Sequence, residues 1–412
     1  MNRPYLCSCH WSHVTLHFPP MERPSISVII VVLLLAVLFL REPRFQRSEE
    51  IFLRWLIRHS QPTTKTVPMT IVDIGRENPP PPLETALLLQ GLLEFKPTVI
   101  AIEPILQWNE RAKEQEQIFV DLAMRVPKLV LGADLTMTAD PDAPVAEIAG
   151  FTNVTGRRGD LPEFSGIEHQ PSEDVRILSA LGFVNLPKES ADALHVPLLF
   201  QYRGEVIPSF ALQAVLLWMR LTPGEVKIDI GSAITLPNGT RIPIQSDGTL
   251  LVNPRIAQRA RHVTMNELLL AAQQHESGAA TAIRLEDIRT QLVLARVESN
   301  VPDVFAAAIG AIQTNSFVRR VSWIFDCVIV VLVALLSGAL RKFSRIDLTI
   351  GAVAFSAGYC LIAFWIISRF SIWIPAWLPL GAAWISVLFA IALPKPKDSA
   401  RTVTIAAPPP IP

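Results

Sequence analysis

The sequence lacks the residues from which many metal and nucleic-acid sites are built. Its four cysteines are Cys7, Cys9, Cys327 and Cys360, so none lies between Arg41 and Arg320. That long segment therefore has neither a disulfide framework nor a cysteine zinc site. The formal net charge is zero, from 37 basic and 37 acidic side chains, and no Lys/Arg-rich run stands out. A nucleic-acid partner is not indicated.

Motifs of common enzymes are also missing. There is no HExxH, no P-loop, no GxSxG and no GxGxxG that follows a strand. The histidines between the first and second long apolar runs are scattered, with no pair at i,i+4 spacing: His59, His169, His195, His262 and His275. The sequence therefore predicts no cofactor, no metal site and no enzymatic activity.

Long hydrophobic runs, by contrast, are abundant. One covers residues 25–40, and three follow in quick succession at 321–340, 346–367 and 372–393. A membrane helix needs about 20 apolar residues to cross about 30 Å of hydrocarbon. The sequence therefore predicts one transmembrane anchor, a large domain at 41–320 and a block of three transmembrane helices.

Basic residues suggest how these spans are oriented. The loop after the first C-terminal span carries Arg341, Lys342 and Arg345, and the Pro-rich tail 394–412 carries three more basic residues. Positively charged short loops favour the cytoplasm. We expect both termini in the cytoplasm and the large domain outside it. Arg41, Arg44 and Arg47 oppose this orientation, but long domains translocate largely regardless of flanking charge.

The first apolar run has two interpretations. It lacks a small-residue cleavage site, which favours an uncleaved anchor over a signal peptide. The preceding segment 1–24 is expected in the cytoplasm. Because Met21 begins a cleaner signal-anchor, we hypothesise that translation starts there.

The large domain alternates strand and helix patterns. The apolar strands VPMTIVDIG, KPTVIAIEPIL and KLVLGADL are separated by the helical PLETALLLQGLLEF and a second helix at about 110–125. Continuous apolar strands joined by helices are typical of a parallel sheet buried on both faces. The predicted fold is α/β, with a mixed, largely parallel sheet flanked by helices. Residues 138–175, rich in Pro, Gly, Asp and Glu, are predicted to form a long loop.

Acidic side chains follow the predicted parallel strands. Asp73, Glu103 and Asp134 lie at or just past strand ends, and Asn185 ends the later strand pattern LGFVNLP. Ligands of open α/β sheets bind outside the carboxyl ends of the strands. These four residues are therefore candidate ligand-binding positions. The alternative is that the acids cap loops or following helices.

The order of these pieces resembles the type-2 CHASE domain, the second class of cyclase/histidine-kinase-associated sensory extracellular domains. The matching pieces are the anchor, the strands TIVDIG and KPTVIAIEPIL, the segments GFVNLP and HVPLLFQYRGEVIPSFALQAVLL, and the three closing spans. The resemblance implies an extracytoplasmic sensor in the inner membrane of a bacterium, which signals to a cytoplasmic cyclase, kinase or phosphatase. The chain departs from the family pattern at KESADAL and at ARVESNVPDVFAAA, which lacks the usual His. Its tail is too short for an output domain, so a separate partner is expected.

The spans contain one deeply placed acid. Asp326 lies in the first C-terminal span, where it could couple helices inside the membrane. It could instead reach the interface and pair with Arg319 or Arg320. Small residues such as Gly351 and Gly358 suit either packing within the helix block or a homodimer.

The leading functional prediction is a sensor-like membrane protein that relays a periplasmic signal to a cytoplasmic partner. One alternative is an envelope scaffold or assembly protein that has lost sensing. Another is a truncated receptor whose kinase or cyclase domain is missing. A periplasmic metal-dependent hydrolase, built on the strand-end carboxylates, is the least favoured reading.

Overall fold

The computed structural model describes residues 43–61, 66–138, 148–186, 194–299, 303–321, 323–340 and 345–392. The segment 1–24, the predicted anchor 25–40 and the tail 394–412 lie outside the described residues. The described residues form two compact units. The larger contains Phe52–Arg320 and Ala363–Ile374, and the smaller contains Val321–Ile362 with the described parts of the segments before Phe52 and after Ile374.

The strands are numbered here in chain order. They are β1 (Met69–Asp73), β2 (Val99–Ile102), β3 (Leu129–Thr136), β4 (Asn153–Thr155), β5 (Glu163–Phe164), β6 (Gly166–His169), β7 (Ala180–Phe183), β8 (His195–Pro197), β9 (Leu199–Tyr202), β10 (Glu205–Pro208), β11 (Lys227–Asp229), β12 (Ala233–Thr235), β13 (Arg241–Pro243), β14 (Thr249–Leu251), β15 (Arg261–Thr264), β16 (Leu292–Arg296), β17 (Arg319–Arg320) and β18 (Ile372–Trp373).

The helices are numbered in the same way. They are α1 (Pro43–His59), α2 (Pro82–Phe95), α3 (Lys113–Ala123), α4 (Glu173–Ile177), α5 (Phe210–Trp218), α6 (Met265–Glu276), α7 (Leu285–Ile288), α8 (Val304–Thr314), α9 (Trp323–Leu340), α10 (Arg345–Phe370) and α11 (Trp377–Ala392).

A largely parallel sheet organises the larger unit, as the sequence predicts. Its strand order is β15-β1-β16-β2-β3. On the side of β3 away from β2, β7 pairs in parallel with the first part of β3 and β6 pairs antiparallel with its last part. The strand β16, which is late in the chain, therefore lies between the two earliest strands. A β-bulge between Asp134 and Leu135 marks the point where β3 changes from its parallel to its antiparallel neighbour.

Alternate residues of the central strands enter two separate cores. Met69, Ile71 and Ala101 belong to one core, which α5 and α8 cover. Val72 and Ile102 belong to the other, which α2, α3 and α6 cover. Successive side chains of a strand point to opposite faces, and here helices cover both faces. This explains why the strands read as continuous apolar runs.

The predicted loop at 138–175 is wrong in part. Outside residues 139–147, which are not described, it contains β4, β5, β6 and α4. Each of these short strands pairs with a distant partner: β4 with β11, β5 with β9, and β6 with β3. Their stability comes from tertiary pairing, which a local pattern does not display.

The C-terminal helices α9, α10 and α11 occupy the region of the predicted spans 321–340, 346–367 and 372–393. Within the described ranges, one helix, Ile346–Phe370, is long and apolar enough to cross a membrane by length and composition. The number of spans stays a prediction. The third predicted span begins too early, because Ile372–Trp373 forms β18 alongside β17 and the helix begins only at Trp377.

The C-terminal half of helix α1 packs into the larger unit. Its buried apolar side chains are Leu53, Leu56 and Ile57, whereas Ile51 and Trp55 are exposed. The buried set contacts apolar residues of the large domain and of the segment Ala363–Ile374.

Candidate functional site

The carboxyl ends of four neighbouring strands carry charged side chains. Asp73 ends β1 and is directly opposite Arg296, which ends β16. Glu103 follows β2, and Asp134 lies near the end of β3. The parallel sheet thus orders these residues along one edge as Asp73, Arg296, Glu103 and Asp134.

Arg296 is shared by two acids. Its Nε donates a hydrogen bond to Asp73 Oδ1 at 2.8 Å. Its Nη1 lies 3.9 Å from Asp303 Oδ2. The Arg296 side chain is 12% exposed, so both interactions occur with little water. Charge pairs in such an environment are screened much less than those at the surface.

Asp303 is a buried helix cap with one oxygen left over. Its Oδ1 accepts a hydrogen bond from the backbone N–H of Ala306 at 2.9 Å, which caps α8. Its Oδ2 has no hydrogen-bond donor, although the side chain is only 3% exposed. Burial raises the pKa of this carboxyl above its usual value, opposed by the Ala306 N–H and by the charge of Arg296.

Glu103 is the most perturbed acid of the site. Burial, followed by repulsion from Asp303, raises its pKa well above the usual value, and the Arg296 charge opposes that rise. Its main chain is closely packed, because a Cβ added at Gly132 would lie 2.1 Å from the Glu103 carbonyl oxygen. Only glycine fits at that position of β3 without moving the neighbouring backbone.

These groups border a cleft of about 760 Å³. Its ionisable lining residues are Glu103, His169, Arg296 and Asp303. Most of the remaining lining is apolar, with residues such as Pro104, Ile105, Val184, Leu186 and Phe305. A cleft of this size, with apolar walls and a few converging polar groups, is typical of a small-molecule site.

Asp134 belongs to a neighbouring group that could hold a cation. His169 Nδ1 lies 3.1 Å from Asp134 Oδ2, and Asp134, Glu168 and His169 each offer one ligand atom within 4.8 Å of the others. Two carboxylates and an imidazole are acceptable ligands for a divalent metal. The residues come from β3 and β6, so linear spacing in the sequence could not indicate the group.

Asn185 holds the sheet edge together. Its side-chain amide accepts from the Leu135 N–H and donates to the Leu135 carbonyl, both at 2.8 Å. These bonds bridge the end of β7 to the bulge in β3. The amide is thus already engaged by the main chain, and a role in ligand binding stays a prediction.

The sequence predicts Asp73, Glu103 and Asp134 along this edge of the sheet but does not single out Arg296 and Asp303. The signal for Arg296 is a charge at the end of an apolar strand. Asp303 precedes an apolar helix, where an N-cap explains it without any ligand. The side chain of Asp326, predicted to couple the membrane helices, lies outside the described residues.

Comparison with known proteins gives one match. The family model described as CHASE2 domain matches residues 30–383. No curated protein matches, and no solved structure matches.

Proposed function

The chain belongs to the CHASE2 domain family of extracellular sensory domains, and we propose from this premise that it is a membrane-bound sensor without catalytic activity. Residues 41–320 bind a small molecule outside the cytoplasm. The C-terminal helices then relay the bound state to a separate cytoplasmic cyclase, kinase or phosphatase. The chain is embedded in the lipid bilayer, and a second copy of the chain is an expected partner.

The observation that carries this proposal is the cleft at the carboxyl edge of the sheet. Ligands of open parallel sheets bind at this edge. Three buried or half-buried charged groups, Glu103, Arg296 and Asp303, meet there. Ionisable groups with strongly shifted pKa values in a cleft favour a binding site.

A continuous stretch of chain leads from the cleft toward the predicted spans. Asp303 lines the cleft and caps α8, so a ligand that moves Asp303 also acts on the start of this helix. After α8 the chain forms β17, whose Arg319 N–H donates to the Ser371 carbonyl at 2.9 Å. Packed helices shift as units between discrete arrangements, which suits α8 to pass on a change at the cleft.

The pairing of β17 with β18 supports a helical hairpin between them. The chain leaves at Arg319–Arg320 and returns at Ile372–Trp373, and these two segments are neighbouring parallel strands. If the intervening residues enter a bilayer, they must cross it an even number of times. This agrees with two antiparallel spans, α9 and α10, and with the orientation inferred from the basic loop after α9.

Recovery of the partner tests the proposal. The full-length tagged chain would be crosslinked in native membranes and purified, in parallel with the Asp303→Asn and Asp326→Asn variants. We expect to recover a protein with a cyclase, kinase or phosphatase domain. The amount recovered with either variant should differ from the amount recovered with the wild-type chain. Equal recovery from all three chains, or recovery of no such protein, would contradict the relay.

Orientation needs a separate measurement. Single cysteines placed at Gly159 in the large domain and at Ser399 in the tail would be labelled with a membrane-impermeant thiol reagent in cells whose outer membrane has been permeabilised. Because the native cysteines react too, they would first be replaced by serine. We expect Gly159→Cys to be labelled and Ser399→Cys to be protected until the inner membrane is opened. The reverse result would place the domain in the cytoplasm.

A further inference from the structure

The one guanidinium at the cleft is shared among several acidic groups. Glu103 and Asp303 line the cleft together with Arg296 and His169, and Asp73, which is not a lining residue, bonds to Arg296 from β1. The Nε of that guanidinium is already bonded to Asp73. Among the described lining residues there is no lysine and no second arginine. An anionic ligand would therefore meet more repulsion than attraction.

One acidic oxygen at this site lacks a donor. Asp303 Oδ2 has no hydrogen-bond partner, and its closest cationic atom is 3.9 Å away. A buried acceptor without a donor destabilises the folded protein, and more so when it is charged. A ligand N–H group would remove that cost and would also offset the negative charge.

The remaining walls indicate what the rest of the ligand resembles. Pro104, Ile105, Val184, Leu186 and Phe305 give the cleft an apolar lining. Its volume of about 760 Å³ lies within the range of small-molecule sites, roughly 300–1,000 Å³. A bare metal ion would leave most of this space and all of this apolar surface without a contact.

We propose that the cleft binds a small organic cation, an amine that is protonated at neutral pH and carries an alkyl or aromatic body. Its ammonium group lies between Glu103 and Asp303 and donates to Asp303 Oδ2. Its apolar body contacts the wall formed by Ile105, Leu186 and Phe305. The inference rests on the proposed sensor function and names the chemical class of its ligand.

A matched series of probes tests the charge requirement. Thermal stability of the full-length protein in detergent would be measured with phenethylamine, with the neutral 2-phenylethanol, with anionic phenylacetate and with magnesium chloride, each at millimolar concentration. These organic probes share one aromatic body and differ in charge. We expect phenethylamine to raise Tm and the other three to leave it unchanged. Stabilisation by phenylacetate, or by magnesium without phenethylamine, would overturn the proposal.

Two variants locate the binding. Asp303→Asn keeps an oxygen to cap α8 but removes the charge. Glu103→Gln removes the neighbouring charge and keeps the size of the side chain. Each should weaken phenethylamine binding by about tenfold or more, as expected for a lost charge-assisted hydrogen bond. Glu94→Gln, on the exposed side of α2, is the control and should bind as the wild type does. Equal affinity in all four proteins would overturn the assignment to this cleft.

The outcome is separable from that of the sensor proposal. If a signalling partner is recovered but no amine stabilises the protein, the ligand class is wrong and the relay stands. If phenethylamine binds at Glu103 and Asp303 but no partner responds to changes in the cleft, the site stands and the relay is wrong.

Discussion

Replacing Glu103 by Gln should stabilise the protein, and the gain should grow with pH. Burial and the neighbouring Asp303 raise the pKa of Glu103 well above its usual value in the folded state. The folded protein therefore holds this proton more tightly than the unfolded chain does. Below the unfolded pKa, about 4.3, both states are protonated and the carboxyl costs nothing. As the pH rises toward the folded pKa, the unfolded state ionises first and stability falls. Gln removes this loss.

The size of the gain follows from the pKa difference. Each unit by which folding raises the pKa corresponds to about 1.4 kcal/mol of folding free energy. For a domain of this size, 1 kcal/mol shifts Tm by roughly 2–4 °C. The variant should thus gain roughly 3–6 °C at neutral pH for every unit of that rise. Asp303 and Arg296 act directly on the Glu103 charge, and His169 lines the same cleft, so the buffer series must keep ionic strength constant.

Thermal unfolding of the purified full-length chain, followed by tryptophan fluorescence from acidic to mildly alkaline pH, measures the effect. Trp108 is a suitable reporter, because its indole donates a hydrogen bond to the Pro80 carbonyl inside the large domain. The Tm difference between Glu103→Gln and wild type should widen as pH rises, whereas that of the exposed control Glu94→Gln should stay constant. A difference that is the same at every pH, or a variant that is less stable throughout, would refute the reasoning.

Three further predictions concern stability and packing. Gly132→Ala should lower Tm by several degrees, since the new Cβ would overlap the backbone of the adjacent strand, whereas Gly159→Ala, with no atom within 4 Å, should leave Tm unchanged in the same melt. Glu49→Ala should destabilise the smaller unit by about 1–3 kcal/mol, because this buried carboxylate accepts hydrogen bonds from the first backbone N–H groups at the start of α11. Proteolysis of the folded variant should be faster than that of the wild type. An unchanged digestion rate would argue against the cap. Asn185→Ala should cost about 1–3 kcal/mol in a denaturant titration by leaving a main-chain donor and acceptor unsatisfied, and an unaltered midpoint would show that water replaces the amide.

Much of the central sheet could be predicted from local pattern alone. Strands β1, β2 and β3 are buried on both faces, so each is a continuous apolar run bounded by a helix. The helix at Pro82–Phe95 has the bounds of its sequence pattern because three prolines precede it and Lys96, in the left-handed region, ends it. Strand β4 cannot be predicted in this way, because two of its three side chains are exposed and its partner strand β11 is distant in the sequence.

The hairpin after β12 shows how one residue changes a turn. The dipeptide Asn238–Gly239 favours a type I′ turn, which needs positive φ at both residues. Here Gly239 alone has positive φ, and its N–H bonds to the Leu236 carbonyl. Pro237 restricts its own φ to about −65° and so favours the first central position of a type I turn one residue earlier.

The candidate site was only half accessible to prediction. Strand ends in a parallel sheet share one edge, so the acids after β1 and β2 were expected near each other. Which side chain lies between them depends on strand order, and no local pattern places β16 between β1 and β2. For the same reason the sequence does not predict the pairing of Arg296 with Asp73. Asp303 precedes an apolar helix, so an N-cap explains it and the sequence gives no sign of its place in the cleft.

The position of β16 also constrains how the protein is made. Arg296 and Asp73 bond to each other across 223 residues of chain, and β16 occupies the slot between β1 and β2. A nascent chain that ends before this strand has two apolar strands with open hydrogen-bonding edges and no neighbour to fill the gap. Unpaired edges of this kind invite aggregation. The central sheet therefore cannot be completed until nearly the last strand of the domain has been synthesised, and the open edges of β1 and β2 need protection from premature pairing until then.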